Sequence, residues 1–169
     1  MIPDPLSSMP QHGTLVLRGS FAVPAERLYV AVSDPLERAL VGTLGDDHVM
    51  LIDESDFRIG GRDFYRFGLR GAPAFRAEAI FHQIVPRSLI VATEIVHSGG
   101  ICISVELVTL VLSERAAESD LRLTAQVLSL CADEDLADAA SARHQAFIAA
   151  LGRHLGAASR DQHHPFPRR

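Results

Sequence analysis

The chain has 169 residues, of which 47% are hydrophobic and 22% are charged, and its formal net charge is −5 at pH 7. This length is typical of one domain with a substantial core, and the composition excludes a disordered or collagen-like chain. The negative charge argues against a protein that binds nucleic acid by neutralising phosphates. No apolar run reaches the roughly 18 residues needed to span a membrane, and the first residues lack the features of a secretory signal. We therefore expect a cytoplasmic protein.

Several kinds of chemistry are excluded by missing residues and motifs. All 16 basic residues are Arg, so Schiff-base chemistry and a P-loop lysine are absent. The chain has no HExxH, CxxC, GxGxxG or GxSxG motif, and its eight His show no metal-ligand spacing. Cys102 and Cys131 are isolated in apolar stretches, which favours buried thiols over a disulfide. The sequence predicts neither a metal nor a cofactor.

The N-terminal third predicts one strand followed by two short helices. Residues 1–13 contain three prolines and predict a loose arm, and residues 14–20 (TLVLRGS) predict the first strand. Pro24 fits the first turn of a helix with Leu28, Tyr29 and Val32 on its apolar face. Asp34-Pro35 ends this helix and begins another that extends to about residue 41.

The middle of the chain predicts an antiparallel sheet. Six segments are rich in β-branched and large apolar residues, and short connections with Gly, Pro or polar residues separate them. These segments are residues 49–57, 62–69, 74–85, 88–97, 101–112 and 121–130.

The C-terminal region predicts one long amphipathic helix over about residues 134–158, followed by a mobile tail at 159–169. Its apolar stripe consists of Ala137, Ala140, His144, Phe147, Ile148, Leu151 and Leu155. This helix is the element that can cover the apolar face of the sheet. The prediction is thus a single α+β domain over residues 14–158, with a long C-terminal helix across a curved antiparallel sheet of six to seven strands. A cavity is expected between the two.

This order of elements resembles the helix-grip fold of the START/Bet v 1 superfamily, and within it the branch named after the activator of Hsp90 ATPase. The resemblance covers roughly residues 15–156 and rests on four stretches: FAVPAERLYVAVSDPLERALVG, DFRIGGRDFYRF, FHQIVPRSLIVATE and SARHQAFIAALGRHLG. The branch often has Trp where this chain has Tyr29, Leu40 and His144. The resemblance implies a ligand cavity, here with a more polar lining.

His144 is the first candidate for chemistry, since it lies near the centre of the apolar stripe. An imidazole there could hydrogen-bond a ligand or act as a general base. The alternative is a core histidine satisfied by a backbone carbonyl or a Tyr.

Strand alternation predicts further cavity residues. The hairpin at Ser98-Gly99-Gly100 can set Glu94 opposite Glu106, and two adjacent like charges favour the solvated face, whereas a register slip of one residue would reverse the assignment. Thr93 and His97 are then expected to point inward.

Two other strands contribute candidates. Residues 75, 77, 79 and 81 form an apolar face, so Phe81 is expected to be buried, while the alternate row from Arg76 to His82 is expected to be exposed. Neither face of residues 62–69 is purely apolar, which leaves the direction of Tyr65 open. If it points inward, its hydroxyl could bind a ligand carbonyl.

The first functional hypothesis is therefore the binding of a small hydrophobic molecule, such as a lipid, a polyketide or an aromatic metabolite. The alternatives are a polyketide cyclase, aromatase or dehydratase that uses His144, His97 or Tyr65, and an interaction module like the Hsp90-ATPase activator. Whether the protein is an enzyme stays open, and a homodimer is compatible with the sequence. The predicted cavity residues are His144, Phe147, Leu151, Tyr29, Tyr65, Thr93, His97 and Phe81.

Overall fold

The computed structural model describes residues 10–130 and 135–155. Within them, seven strands and three helices follow one another in the predicted order, which confirms the α+β class. The elements are β1 (Gln11–Phe21), α1 (Ala25–Ser33), α2 (Pro35–Val41), β2 (His48–Ser55), β3 (Arg62–Leu69), β4 (Ala72–Val85), β5 (Leu89–Ser98), β6 (Ile101–Arg115), β7 (Glu118–Ser129) and α3 (Asp135–His154).

The seven strands form one antiparallel sheet in the order β1-β7-β6-β5-β4-β3-β2. From β2 to β7 each strand pairs with the next in the chain, so hairpins build the sheet. The helices α1 and α2 connect β1 and β2, which lie at opposite edges. Register shifts interrupt four of the pairings between neighbouring strands, and such bulges bend and twist a sheet.

The strand boundaries differ most from the prediction at the start of β1 and around the turn between β6 and β7. The strand β1 begins at Gln11, inside the expected N-terminal arm, because it pairs with β7 from Gln11 opposite Ser129 onward. The expected polar loop at residues 113–120 is largely strand, since the ladder of β6 and β7 continues to Arg115 opposite Glu118. A two-residue turn remains, in which Ala116 has a φ of 56°.

The junction of α1 and α2 has the predicted geometry. The Asp34 side chain accepts hydrogen bonds from the backbone N–H groups of Leu36, at 2.9 Å, and Glu37, at 3.1 Å. It therefore caps the N-terminus of α2, and Pro35 occupies a first-turn position where a missing N–H costs nothing.

The main core lies between α3, α1 and the sheet. Leu28 of α1, Leu121 and Leu123 of β7 and Leu151 of α3 are almost completely buried there. The predicted stripe of α3 is observed: Ala140, His144, Ile148 and Leu151 are buried, and Phe147 and Leu155 are partly buried. The side chain of Ala137 and residues 156–169 lie outside the described part of the chain.

Two further findings concern the described residues alone. None of their helices is long and apolar enough to cross a membrane. Residues 10–130 and 135–155 contain no group of three or more His, Cys, Asp or Glu side chains placed to hold a metal ion.

Cys102 is partly buried, with its Sγ 3.8 Å from the carbonyl oxygen of Ser104, and Cys131 is outside the described residues.

Candidate functional site

A cavity of about 150 Å³ lies on the face of the sheet that the helices cover. Three aromatic rings form part of its wall: Phe67 of β3, Phe81 of β4 and Phe147 of α3. Apolar side chains from α1, β2 and strands β4 to β7 complete the lining. The polar groups that line it are Arg38, Asp63, Tyr65, Glu94, Arg143 and His144.

Five of the polar side chains in and behind this wall form one hydrogen-bonded cluster. The guanidinium of Arg143 donates to Oε1 of Glu94 and to Oε1 of Glu106, each at 2.8 Å. The Tyr65 hydroxyl donates to the same Oε1 of Glu94. On the other side, Nε2 of His144 lies 2.8 Å from Oε2 of Glu106. We call these five residues the cavity cluster.

The electrostatics of the cavity cluster set several protonation states. Burial by itself would raise the pKa of Glu106, but the charge of Arg143 and the hydrogen bond from His144 outweigh it and lower this pKa to about 2. Burial, together with the negative charge of Glu94, raises the pKa of Tyr65 well above its usual value. Burial opposes the charge of Arg143, yet the two carboxylates raise its pKa. At neutral pH, Glu106 is therefore a carboxylate, Tyr65 a phenol and Arg143 a cation.

The ionised Glu106 also defines how His144 is bonded. A carboxylate can only accept a hydrogen bond, so Nε2 of His144 carries the donated proton. Within the described part of the chain, Nδ1 of His144 makes no hydrogen bond. The partner of this buried imidazole is therefore a carboxylate, and not the backbone carbonyl or Tyr that was considered from the sequence.

The predicted register of β5 and β6 is confirmed, but the predicted direction of its side chains is wrong. Glu94 does lie opposite Glu106, and both are buried beneath α3. The two carboxylates can be buried side by side because the guanidinium of Arg143 lies between them. The alternation of residues along a strand gives no information about this cation, which belongs to α3. Thr93 and His97 consequently point away from the cavity.

The outward direction of Thr93 is visible in its contacts. Its Oγ1 lies 2.7 Å from Nε2 of His82, within the exposed row predicted for β4. His97 is partly exposed on the same side of the sheet, near Arg76. Neither Thr93 nor His97 belongs to the cavity lining.

A second buried ion pair lies at another part of the wall. Asp63 of β3 is buried and pairs with Arg38 of α2, whose guanidinium also donates to Ser55 Oγ at 3.0 Å. The same guanidinium lies over the rings of Phe57 and Phe81, at 5.6 and 5.9 Å from their centroids. Because this pair neutralises Asp63, β3 can turn the row Asp63, Tyr65 and Phe67 inward.

The other predicted cavity residues fall into two groups. Four of them line the cavity: His144, Phe147, Tyr65 and Phe81. Two do not: Leu151 lies in the core, and Tyr29 is partly buried with its ring 6.3 Å from the Phe57 ring in an edge-on contact. Both residues lie close in the sequence to residues that line the cavity, but their side chains pack on other parts of the core.

Sequence reasoning missed Arg143, Glu94 and Glu106 as residues of the site. A signal was present, because two facing carboxylates in the most apolar strands of the sheet require a cation nearby. Arg143 adjoins His144, at the border of the helix stripe. Its identification needs the packing of α3 on the sheet.

Comparisons with known proteins show the fold. No family model matches the chain, and no curated protein matches it. The structure is similar to Mll3558 from Rhizobium loti (TM-score 0.76, 24% identity, covering 88% of this chain and 100% of that one). It is also similar to CV1439 from Chromobacterium violaceum (TM-score 0.74, 20% identity, 86% and 98%).

A third similar structure is DynU16, described as a putative protein in the dynemicin biosynthetic locus (TM-score 0.61, 15% identity). The match covers 85% of this chain and 47% of that one. At these identities the likeness establishes a fold and not a function. The shared architecture, a curved antiparallel sheet with a C-terminal helix, is compatible with the helix-grip fold. The Hsp90-ATPase-activator branch stays a prediction.

Proposed function

We propose that this protein binds a small, mainly apolar molecule in the cavity between the sheet and α3. The observation that carries the proposal is the cavity itself, with aromatic and aliphatic walls and two groups of polar side chains. Such a combination is typical of small-molecule sites, where apolar walls supply affinity and a few polar groups supply orientation.

The volume of the cavity narrows the size of the ligand. A void of about 150 Å³ is lined in part by three phenyl rings. Cavities of roughly this volume in protein cores bind benzene, whereas sites for drug-sized ligands occupy about 300–1,000 Å³. A single aromatic ring fits this space, and the rings of Phe67, Phe81 and Phe147 offer edge-on or offset contacts to it. Among the ligand classes considered from the sequence, the size favours an aromatic metabolite.

A second candidate is an enzyme that transfers protons on a bound ring compound, in the manner of a polyketide cyclase. The observation that favours it is the pair of Glu106 and His144. A carboxylate that holds Nε2–H of an imidazole leaves Nδ1 as the basic nitrogen, which is the arrangement of a positioned general base. The similarity to a protein of a biosynthetic locus is in keeping with this alternative.

A cavity-filling variant tests the binding proposal. Val108 lines the cavity, so Val108→Phe should place a ring in the ligand space. We expect the wild type to bind single-ring aromatics such as toluene in isothermal titration calorimetry, and Val108→Phe to lose this binding. Val111→Phe is the matched control, because Val111 belongs to the same strand and is 41% exposed. Its binding should equal that of the wild type.

Two results would contradict the proposal: no binding of any ring compound to the wild type, or equal binding by wild type and Val108→Phe. Far-UV circular dichroism of each variant checks that the fold is retained. For the enzyme alternative, His144→Ala should keep ligand affinity and lose turnover of a substrate. Equal losses of stability and binding would instead assign His144 a core role.

A further inference from the structure

The hydrogen bonds to Glu94 are distributed unequally between its two carboxylate oxygens. Both the Tyr65 hydroxyl and the Arg143 guanidinium donate to Oε1. Oε2 receives no hydrogen bond from the residues that the structure describes. The Glu94 side chain lines the cavity and is 12% exposed. A carboxylate oxygen at a cavity wall without a donor is a strong acceptor for a ligand group.

The fixed charges around the cavity favour the same kind of ligand. Among the described residues, the carboxylates of Asp63 and Glu94 and the guanidinium groups of Arg38 and Arg143 line the cavity, and a third carboxylate, that of Glu106, lies behind its wall. Both guanidinium groups already pair with these carboxylates, so a ligand group placed at Glu94 Oε2 meets a carboxylate oxygen. An anionic ligand would be repelled here, whereas a hydrogen-bond donor would be attracted.

We propose that the cavity selects a single-ring molecule that carries a hydrogen-bond donor, such as a phenolic hydroxyl, and no negative charge, with the donor directed at Glu94 Oε2. This inference rests on the proposed binding function and adds the ligand chemistry to it. It disfavours fatty acids and aromatic carboxylates, which the apolar character of the cavity alone would admit.

The test compares probes of similar size with the wild-type protein by isothermal titration calorimetry. The probes are toluene, phenol, benzaldehyde and benzoate. Their single ring substituent is, respectively, a methyl group, a hydrogen-bond donor, a hydrogen-bond acceptor and an anionic carboxylate. We expect toluene and phenol to bind, with phenol the tighter, and benzoate to bind at least tenfold more weakly than phenol. This comparison needs no variant and is therefore independent of any effect of mutation on folding.

The variant Glu94→Gln makes the test specific to the proposed oxygen. The amide oxygen can keep the bonds from Tyr65 and Arg143, which places the NH₂ group at the position of Oε2. The variant should then bind phenol roughly tenfold or more weakly, since a bond to a charged acceptor is lost. It should bind benzaldehyde more tightly and toluene unchanged. Glu78→Gln is the control, because Glu78 pairs with Arg62 on the opposite side of the sheet, and all four affinities should stay the same.

The outcomes separate the two proposals. Absence of binding for all probes would overturn the binding function and this inference together. Binding of toluene with equal or weaker binding of phenol, or tighter binding of benzoate, would overturn the inference alone. A uniform loss of affinity for toluene, phenol and benzaldehyde in Glu94→Gln would also overturn it, because that result indicates a change in cavity shape.

Discussion

Replacing Arg143 by methionine removes the cation that lies between Glu94 and Glu106. The methionine keeps much of the aliphatic stem, so the main change is electrostatic. Two carboxylates that face each other across β5 and β6 then remain buried without the guanidinium that they share. The side chain of Glu106 is only 1% exposed, so water cannot replace the lost guanidinium at that oxygen.

The expected cost follows from the burial of the three side chains. Breaking a buried ion pair by removing one partner typically destabilises a protein by about 3–5 kcal/mol, whereas exposed pairs contribute about 0–1 kcal/mol. The side chains of Arg143 and Glu94 are 18% and 12% exposed, so we expect Arg143→Met to cost about 3–4 kcal/mol. At a typical urea dependence of about 2 kcal/mol per M, the unfolding midpoint should fall by roughly 2 M.

Urea unfolding followed by far-UV circular dichroism measures this cost, since the chain has no Trp for fluorescence. The control is Arg62→Met, which removes an exposed partner of Glu78 and should cost about 0–1 kcal/mol. The penalty of Arg143→Met should also shrink from pH 7 to pH 5, because buried carboxylates without a cation take up protons more readily when folded. Equal costs for the two variants, or a penalty independent of pH, would refute the assigned role of Arg143.

Three other predictions concern pH dependence, a helix cap and a turn. The pKa of Glu106 falls from 4.5 to about 2 on folding, which corresponds to about 3 kcal/mol of folding stability at about 1.4 kcal/mol per pKa unit. This stability should be present above pH 4.5 and should be lost as the pH falls toward 2. The urea unfolding of Glu106→Gln should therefore depend less on pH in this interval than that of the wild type. Asp34→Ala should lower the free energy of unfolding by about 1 kcal/mol, because the cap of α2 is lost, whereas unchanged stability would contradict the capping role. Gly61→Ala should lower the melting temperature more than Gly60→Ala. A Cβ at Gly61 would lie 2.0 Å from a backbone oxygen, whereas a Cβ at Gly60 would meet open space, so that only the positive φ of residue 60, +79°, opposes the substitution there. The reverse order would contradict this account of the turn.

Much of the architecture could be predicted because it depends on local patterns. The segments of β-branched residues with short Gly-containing connections predicted the hairpins of the sheet, and the stripe through His144 and Leu151 predicted the buried face of α3. The register of β5 and β6 followed from the short Gly99-Gly100 turn, so Glu94 and Glu106 were correctly paired. The ends of strands were less well predicted: pairing with β7, and not local composition, extends β1 to Gln11.

The direction in which a strand turns its side chains depends on charges from elsewhere in the chain. Two like charges on neighbouring strands predicted a solvated face for Glu94, and a mixed pattern left the direction of Tyr65 open. In the structure, Arg143 of α3 pairs with Glu94 and Glu106, Arg38 of α2 pairs with Asp63, and both strands turn polar groups inward.

The sequence by itself determined the order and type of the elements, the hairpin pairing from β2 to β7 and the apolar stripe of α3, because periodicity and turn residues act over a few positions. Only the tertiary structure decided which polar groups line the cavity. Burying a carboxylate is favourable only when a cation reaches it, and Arg143 reaches Glu94 and Glu106 across 49 and 37 positions of sequence. No local sequence pattern indicates a contact between residues so far apart in the chain, and the cavity cluster forms only when α3 packs on the sheet.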